Sequence, residues 1–276
     1  MPDGYALLRV EVDGGVCRAT IDHPPINLLD VPLMLELDRL GREVEADESI
    51  NVLVLDSANA DFFIAHADVT TILAIPREAL AEPADELSFF HALVDRFRTM
   101  PVVTIGLVEG IARGGGCELL ASFDMRFAAL GRATFGQPEV LLGIIPGGSG
   151  TQRWPRLVGR NRALEVVLGG ADIDAELAER WGFVNRSLPP AALRDHVAAL
   201  AARIASLPKT AVVEAKRAVA AASSDPTAGL NQEWQSFTRC LADDEAIARM
   251  QRFLDQGGQT SDVERQPITL DGDGWL

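Results

Sequence analysis

The chain has 276 residues, 47% of them hydrophobic and 24% charged, with 25 Lys and Arg against 40 Asp and Glu, a formal net charge of −15. This length suits one large domain or two ordinary ones, and the composition is that of a folded globular chain, which excludes wholesale disorder. A field of that sign repels nucleic acid and anionic lipid, so no nucleic-acid and no membrane partner is expected.

Cys17, Cys117 and Cys240 are too few and too scattered for a disulfide framework or for metal-type spacing. The first ten residues show neither a basic nor an apolar leader region. The apolar stretch from Met100 to Val108 is far short of the about 20 residues that span a bilayer. A cytoplasmic location is expected.

In chain order, residues 5–12 and 16–22 read as two strands of a hairpin around Asp13-Gly14-Gly15. Leu33, Leu37, Leu40 and Val44 recur at three- and four-residue spacing and predict an amphipathic helix over Val31–Ala46. Residues 52–56 form a short apolar strand, 86–99 a helix and 102–108 a second buried strand. The alternation predicts an α/β fold with parallel strands. Between 105 and 150 glycines crowd together, the signature of a site built partly from main chain. From Gly159 onward the chain reads as helical: 160–168, 174–181, 190–206, 208–223 and 227–255, the last broken near Asp243. Residues 257–276 carry four acids and no helical period, and a loosely held tail is expected. The division is therefore a core over 1–200, a helical region over 201–256 and a flexible tail over 257–276.

Several common motifs are absent. No phosphate-binding G-x-x-x-x-G-K-[ST], no dinucleotide G-x-G-x-x-G and no H-E-x-x-H occurs, and Thr151 breaks the G-x-S-x-G pattern at Ser149. No resident metal is expected.

Three segments survive: FFIAHAD (62–68), GIARGGGCEL (110–119) and FGQPEVLLGIIPGGSGTQR (135–153). In the second, a strand runs through a glycine triplet into a helix CELLAS. The first N–H groups of such a helix are unpaired and sit at the positive end of its dipole, where they can receive an oxyanion. Gly115 admits a carbonyl closely, and Glu118, three residues on, shares its face. In the third, Glu139 follows Gly136-Gln137-Pro138 and precedes an apolar run; desolvation there would raise its pKa toward a general acid's working range. By itself this segment reads rather as a surface-loop carboxylate.

Together the three segments resemble the crotonase (enoyl-CoA hydratase/isomerase) superfamily. The resemblance is carried by Phe63, Ala65, Ala67, Asp68, Gly110, Ala112, Gly114 to Gly116, Glu118, Leu119, Asp124, Arg126, Ala128, Phe135, Gly136, Pro138, Glu139, Gly143, Pro146, Gly147, Gly150 and Thr151 to Arg153, and extends over residues 5–225. It implies a spiral of β-β-α units with a helical C-terminal region that serves trimerisation, as a homotrimer or a dimer of trimers. It implies an acyl-CoA substrate, with coenzyme A as part of the substrate and no prosthetic group. The thioester carbonyl would sit between the N–H groups of Ala67 and Gly115, and the two glutamates of a hydratase fall on Glu118 and Glu139. Ala65, His66, Asp68 and Gly114 would border the coenzyme. An isomerase, another acyl-CoA thioester reaction on this scaffold and a non-catalytic acyl-CoA-binding subunit are the rival readings.

The chain departs from the family at several points. His66 stands where the family usually has glycine, and either contacts the ligand or packs away from it. Asp68 has the look of an N-cap for VTTIL. Val69, Thr70 and Thr71 follow where many members carry a cation near the coenzyme phosphates; Arg249 and Arg252 are the substitutes at hand. Cys117 reads as a small buried apolar residue, Trp154, Trp181 and Trp234 as packing residues, and residues 73–90 as a loop shaping the acyl pocket.

Overall fold

Gly14 and Gly15, at φ +54° and +81°, make a tight reversal that L side chains resist. Around it Leu8–Asp13 (β1) and Val16–Ile21 (β2) pair antiparallel in the expected hairpin. The computed structural model describes residues 4–76, 87–221 and 227–266. Residues 77–86, within the loop expected to shape an acyl pocket, and 267–276, the end of the expected tail, lie outside the described residues.

Helix α1 (Val31–Ala46) has the predicted bounds. Asp30 caps it by accepting the Leu33 N–H at 2.9 Å, and the four predicted apolar positions are buried.

The chain then alternates between two sheets. Val52–Ser57 (β3) enters the larger and Phe62–Ile64 (β4) opens the smaller, followed by Val69–Leu73 (α2) and Phe89–Thr99 (α3). Val103–Val108 (β5) and Ile111–Arg113 (β6) repeat the step and lead into Gly115–Ala121 (α4). Met125–Ala129 (β7) and Thr134–Gly136 (β8) repeat it again, followed by a tight helical turn, Glu139–Leu142, and Gly150–Val158 (α5). Each round lays one strand in each sheet and then a helix, which is the expected spiral of β-β-α units.

Beyond α5 come Arg160–Gly169 (α6), Ile173–Asp174 (β9), Ala175–Trp181 (α7), Arg186–Leu188 (β10), Pro190–Ala205 (α8), Lys209–Ala221 (α9), Thr227–Leu241 (α10), Asp244–Asp255 (α11) and Ser261–Glu264 (α12). The larger sheet has the order β1-β2-β3-β5-β7-β10 and the smaller β4-β6-β8-β9; apart from the pairs β1–β2 and β8–β9 the strands are parallel. β3 and β5 are buried at every position, as strands covered on both faces are.

Four details differ from the sequence expectations. Strands β4, β6 and β8 have three residues each, too few for a readable period. β9 and β10 interrupt a stretch read as helical. Helix α4 begins inside the glycine triplet, at Gly115 rather than Cys117. The tail is not loose over its described part: Glu264 is fully buried, and Arg113 donates to the carbonyl oxygens of Glu264 and Gln266, both at 2.9 Å.

Three packing layers hold the site. One lies between the large sheet and α1, α3 and α4; a second packs Leu193, Val197 and Ala201 of α8 on the opposite face. The third joins Val69 of α2 and Leu142 and Ile144 to Phe237, Leu241, Met250 and Phe253 of α10 and α11. Buried Arg126 donates to the Leu120 and Phe123 carbonyls at 3.0 and 2.7 Å, a cation at the C-terminal end of α4. Burial pushes its pKa down to about 10.

Candidate active site

Strand β6 delivers Gly114 at φ +47°, ψ −123°, and α4 starts at the next residue. Gly115 is the first helical residue, so its N–H has no partner within the helix. A Cβ on Gly115 would lie 3.7 Å from the Ala67 nitrogen and 3.3 Å from the Ala67 Cβ. The amides of Ala67 and Gly115 are therefore neighbours, and among the described residues neither donates to a backbone carbonyl.

Glu118 lies one turn into α4 and is 3% exposed. Its Oε1 accepts the N–H groups of Gly148 and Gly150, at 2.8 and 2.7 Å. Between them Ser149 adopts φ +107°, a conformation costly for a residue with a Cβ. This loop curls around one carboxylate oxygen and leaves Oε2 beside Gly148 and Phe90 at the pocket wall. The glycine cluster thus supplies main-chain donors, as its composition suggested.

Glu139 begins the tight turn and is half-buried, not the surface-loop carboxylate its segment also allowed. Behind it lies Gln137, fully buried. With its amide oriented so that the oxygen accepts from Trp154 Nε1 at 2.9 Å, Gln137 donates to both Glu139 oxygens, at 2.9 and 3.0 Å. Trp154 in turn stacks on Phe183 at 4.1 Å, which makes a rigid support. Sequence reasoning missed Gln137; its place two residues before a candidate acid was the available signal.

A cavity of about 250 Å³ holds these groups together. His66, Ala67, Gly114, Gly115, Glu118 and Glu139 all line it. Ala65 and Asp68 do not: Ala65 packs with Ile26 and Phe62, and Asp68 caps α2 by accepting from Thr70, as its sequence context suggested. The walls are apolar, with Ile72 of α2 and Ile75 just after it, Phe89 and Phe90 of α3, and Trp234 and Phe237 of α10. Trp234 is thus a wall of the cavity as well as a packing residue, stacked with Phe237 at 5.6 Å.

His66 is buried, its ring edge-on to Phe253 at 5.7 Å. Its Nε2 lies 2.8 Å from Oε1 of Glu264, and its Nδ1 lies 2.8 Å from the Ala67 oxygen. Burial alone would raise the Glu264 pKa; the His66 ring, the Gln259 N–H and Arg113 outweigh it and hold the carboxyl below its ordinary value. The Cys117 thiol donates to the Ala112 oxygen, and burial pushes its pKa well up, so it is a packing group. Among the described residues no cluster of three His, Cys, Asp or Glu could hold a metal ion, and no helix is long and apolar enough to cross a membrane.

A family model described as Enoyl-CoA hydratase/isomerase matches residues 11–260. The Crotonyl-CoA hydratase of Syntrophomonas wolfei is 34% identical over 255 residues, covering 91% of this chain and 96% of that protein. The Short-chain-enoyl-CoA hydratase of Clostridium acetobutylicum is 31% identical over 250 residues, covering 90% and 94%. Among solved structures, a Streptomyces avermitilis protein assigned as an enoyl-CoA hydratase superposes with a TM-score of 0.88 at 38% identity, covering 95% of this chain and 96% of that one.

Proposed function

This chain belongs to the enoyl-CoA hydratase/isomerase family, the crotonase superfamily, and we propose on that premise that it is an enoyl-CoA hydratase adding water across the α,β double bond of a trans-2-enoyl-CoA. One observation carries the reading: two glutamates and two neighbouring amides line a single apolar cavity.

The thioester oxygen accepts from the N–H groups of Ala67 and Gly115, which stabilise the enolate that forms when water attacks Cβ. Glu118, anchored through Oε1, presents Oε2 to the water and takes its proton. Glu139 enters protonated and delivers a proton to Cα. One Gln137 N–H suffices for the carbonyl oxygen of that carboxyl, and its O–H is left to the cavity. Two carboxyls sharing one site divide into a base and an acid because both do not ionise together at little cost.

The substrate brings coenzyme A with it, and no prosthetic group enters this scheme. The proposed assembly is a homotrimer or a dimer of trimers, with contacts from the helical region 201–256; Val219 of α9, 75% exposed, is apolar surface that such a contact would cover. A cytoplasmic place in fatty-acid breakdown is part of the same reading.

Turnover of crotonyl-CoA in heavy-oxygen water tests it. A hydratase yields the 3-hydroxyacyl-CoA with the label on Cβ. A shifted double bond without label would favour an isomerase, and recovery of unchanged substrate would favour a binding role.

A further inference from the structure

We propose that His66 is a positioning residue for the thioester-holding amide of Ala67, and that Glu264, carried in by the C-terminal segment, holds the His66 ring in the form that does this. The role of Ala67 rests on the hydratase reading; the geometry does not.

The peptide between His66 and Ala67 is a rigid trans plane. Its carbonyl accepts the Leu29 N–H at 2.9 Å, so the Ala67 N–H on the opposite edge is aimed at the cavity. The next peptide is pinned twice: its N–H, on Asp68, donates to the Leu29 oxygen at 3.1 Å, and its carbonyl, on Ala67, faces His66 Nδ1 at 2.8 Å. Both planes flanking Ala67 are thereby fixed, and the His66 ring is the side chain that closes the arrangement.

A carbonyl oxygen and a carboxylate can only accept. Ala67 O faces Nδ1 and Glu264 Oε1 faces Nε2, and only a ring that carries hydrogen on both nitrogens donates to both. A neutral ring satisfies only one of the two. Glu264 is itself held: Oε1 accepts the Gln259 N–H at 2.7 Å, and Arg113 Nη1 lies 3.6 Å from Oε2. Arg113 immediately precedes Gly114-Gly115, so the same carboxylate braces the strands that carry both amides. Gln259 completes the strap, accepting the Val69 N–H at 2.6 Å and donating to Asp68 at 3.1 Å. A glycine at position 66, the usual family residue, supplies neither of the two ring bonds.

The test compares the full chain with His66→Gln, Glu264→Gln and Arg265→Ala, the last cutting the surface link of this segment to Asp61 and its contact over the Phe62 ring. Calorimetry reads affinity for acetoacetyl-CoA, whose enolate places negative charge on the thioester oxygen, and for butyryl-CoA, which carries none. Steady-state kinetics on crotonyl-CoA reads kcat and KM. His66→Gln and Glu264→Gln should weaken acetoacetyl-CoA about tenfold or more, leave butyryl-CoA within about twofold, and lower kcat with KM nearly unchanged. Arg265→Ala should match wild type throughout. Equal losses for both ligands, or no loss for either, would overturn the proposal. If Glu264→Gln does not fold, His66→Gln decides alone. Wild type that binds acetoacetyl-CoA with this selectivity yet turns over no enoyl-CoA would sink the hydratase reading and leave the positioning role standing.

Discussion

The Gly150 N–H donates to Oε1 of Glu118 at 2.7 Å across 32 residues of sequence. Gly148 gives its N–H to the same oxygen, so this carboxylate is at once a candidate base and the centre around which a loop is folded.

The two roles separate by substitution. Glu118→Gln keeps an acceptor oxygen for both amides and should unfold in urea close to wild type. Glu118→Ala leaves two buried donors unpaired and should lose about 1–3 kcal/mol for each. An alanine variant as stable as the glutamine variant would show that the loop does not depend on this carboxylate.

Gly114 separates His66 from Glu139. A Cβ there would lie 2.9 Å from Glu139 Oε1 and 3.6 Å from the His66 Cβ, on a backbone at φ +47°. Gly114→Ala should therefore cost about 1–3 kcal/mol of stability through backbone strain. It should also reduce kcat at least several-fold by displacing Glu139. Thermal melting and steady-state kinetics read the two effects, and wild-type values in both would contradict the assignment.

Gln137 joins Trp154 to Glu139. Gln137→Leu removes the acceptor of a buried indole N–H and the donor to both carboxyl oxygens. A loss of about 1–3 kcal/mol in urea denaturation is expected from the orphaned groups. A lower kcat should accompany it, since Glu139 loses its support.

Glu264 gives a pH dependence of defined sign. Its folded pKa is held below 4.5 by the His66 ring, the Gln259 N–H and Arg113, against the upward push of burial. A depressed carboxyl contributes stability above its unfolded value and loses it as pH falls through the folded value. The stability gap between wild type and Glu264→Gln should close progressively as pH falls below about 5. Thermal melts across that range measure it; a gap that widens on acidification would contradict the ion pair.

How far the sequence foretold this arrangement depended on length and on separation. Sixteen residues of α1, with four apolar positions in register, set bounds that the structure repeats. Strands of three residues hold less than two periods of alternation, so β4, β6 and β8 were not visible, although they place Ala67 and Gly114. The start of α4 was hidden because glycine contributes nothing to hydrophobic periodicity. Glu118 and Gly115 were legible as a pair because helical spacing relates them, and the cavity receives both. Glu139 was singled out by the family pattern, while its support by Gln137 depends on an indole from another element. The bond between His66 and Glu264 spans 198 residues, and the acidic, aperiodic segment around Glu264 gave no sign that one of its acids was buried.

The most direct test of the central claim follows the loss of enoyl-thioester absorbance with purified wild type, Glu118→Gln and Glu139→Gln over a short- to long-chain trans-2-enoyl-CoA panel. Two-carboxylate hydration predicts wild-type turnover and a fall of about 100-fold or more in kcat for each variant, with both still folded. Undiminished turnover in either variant would contradict the account.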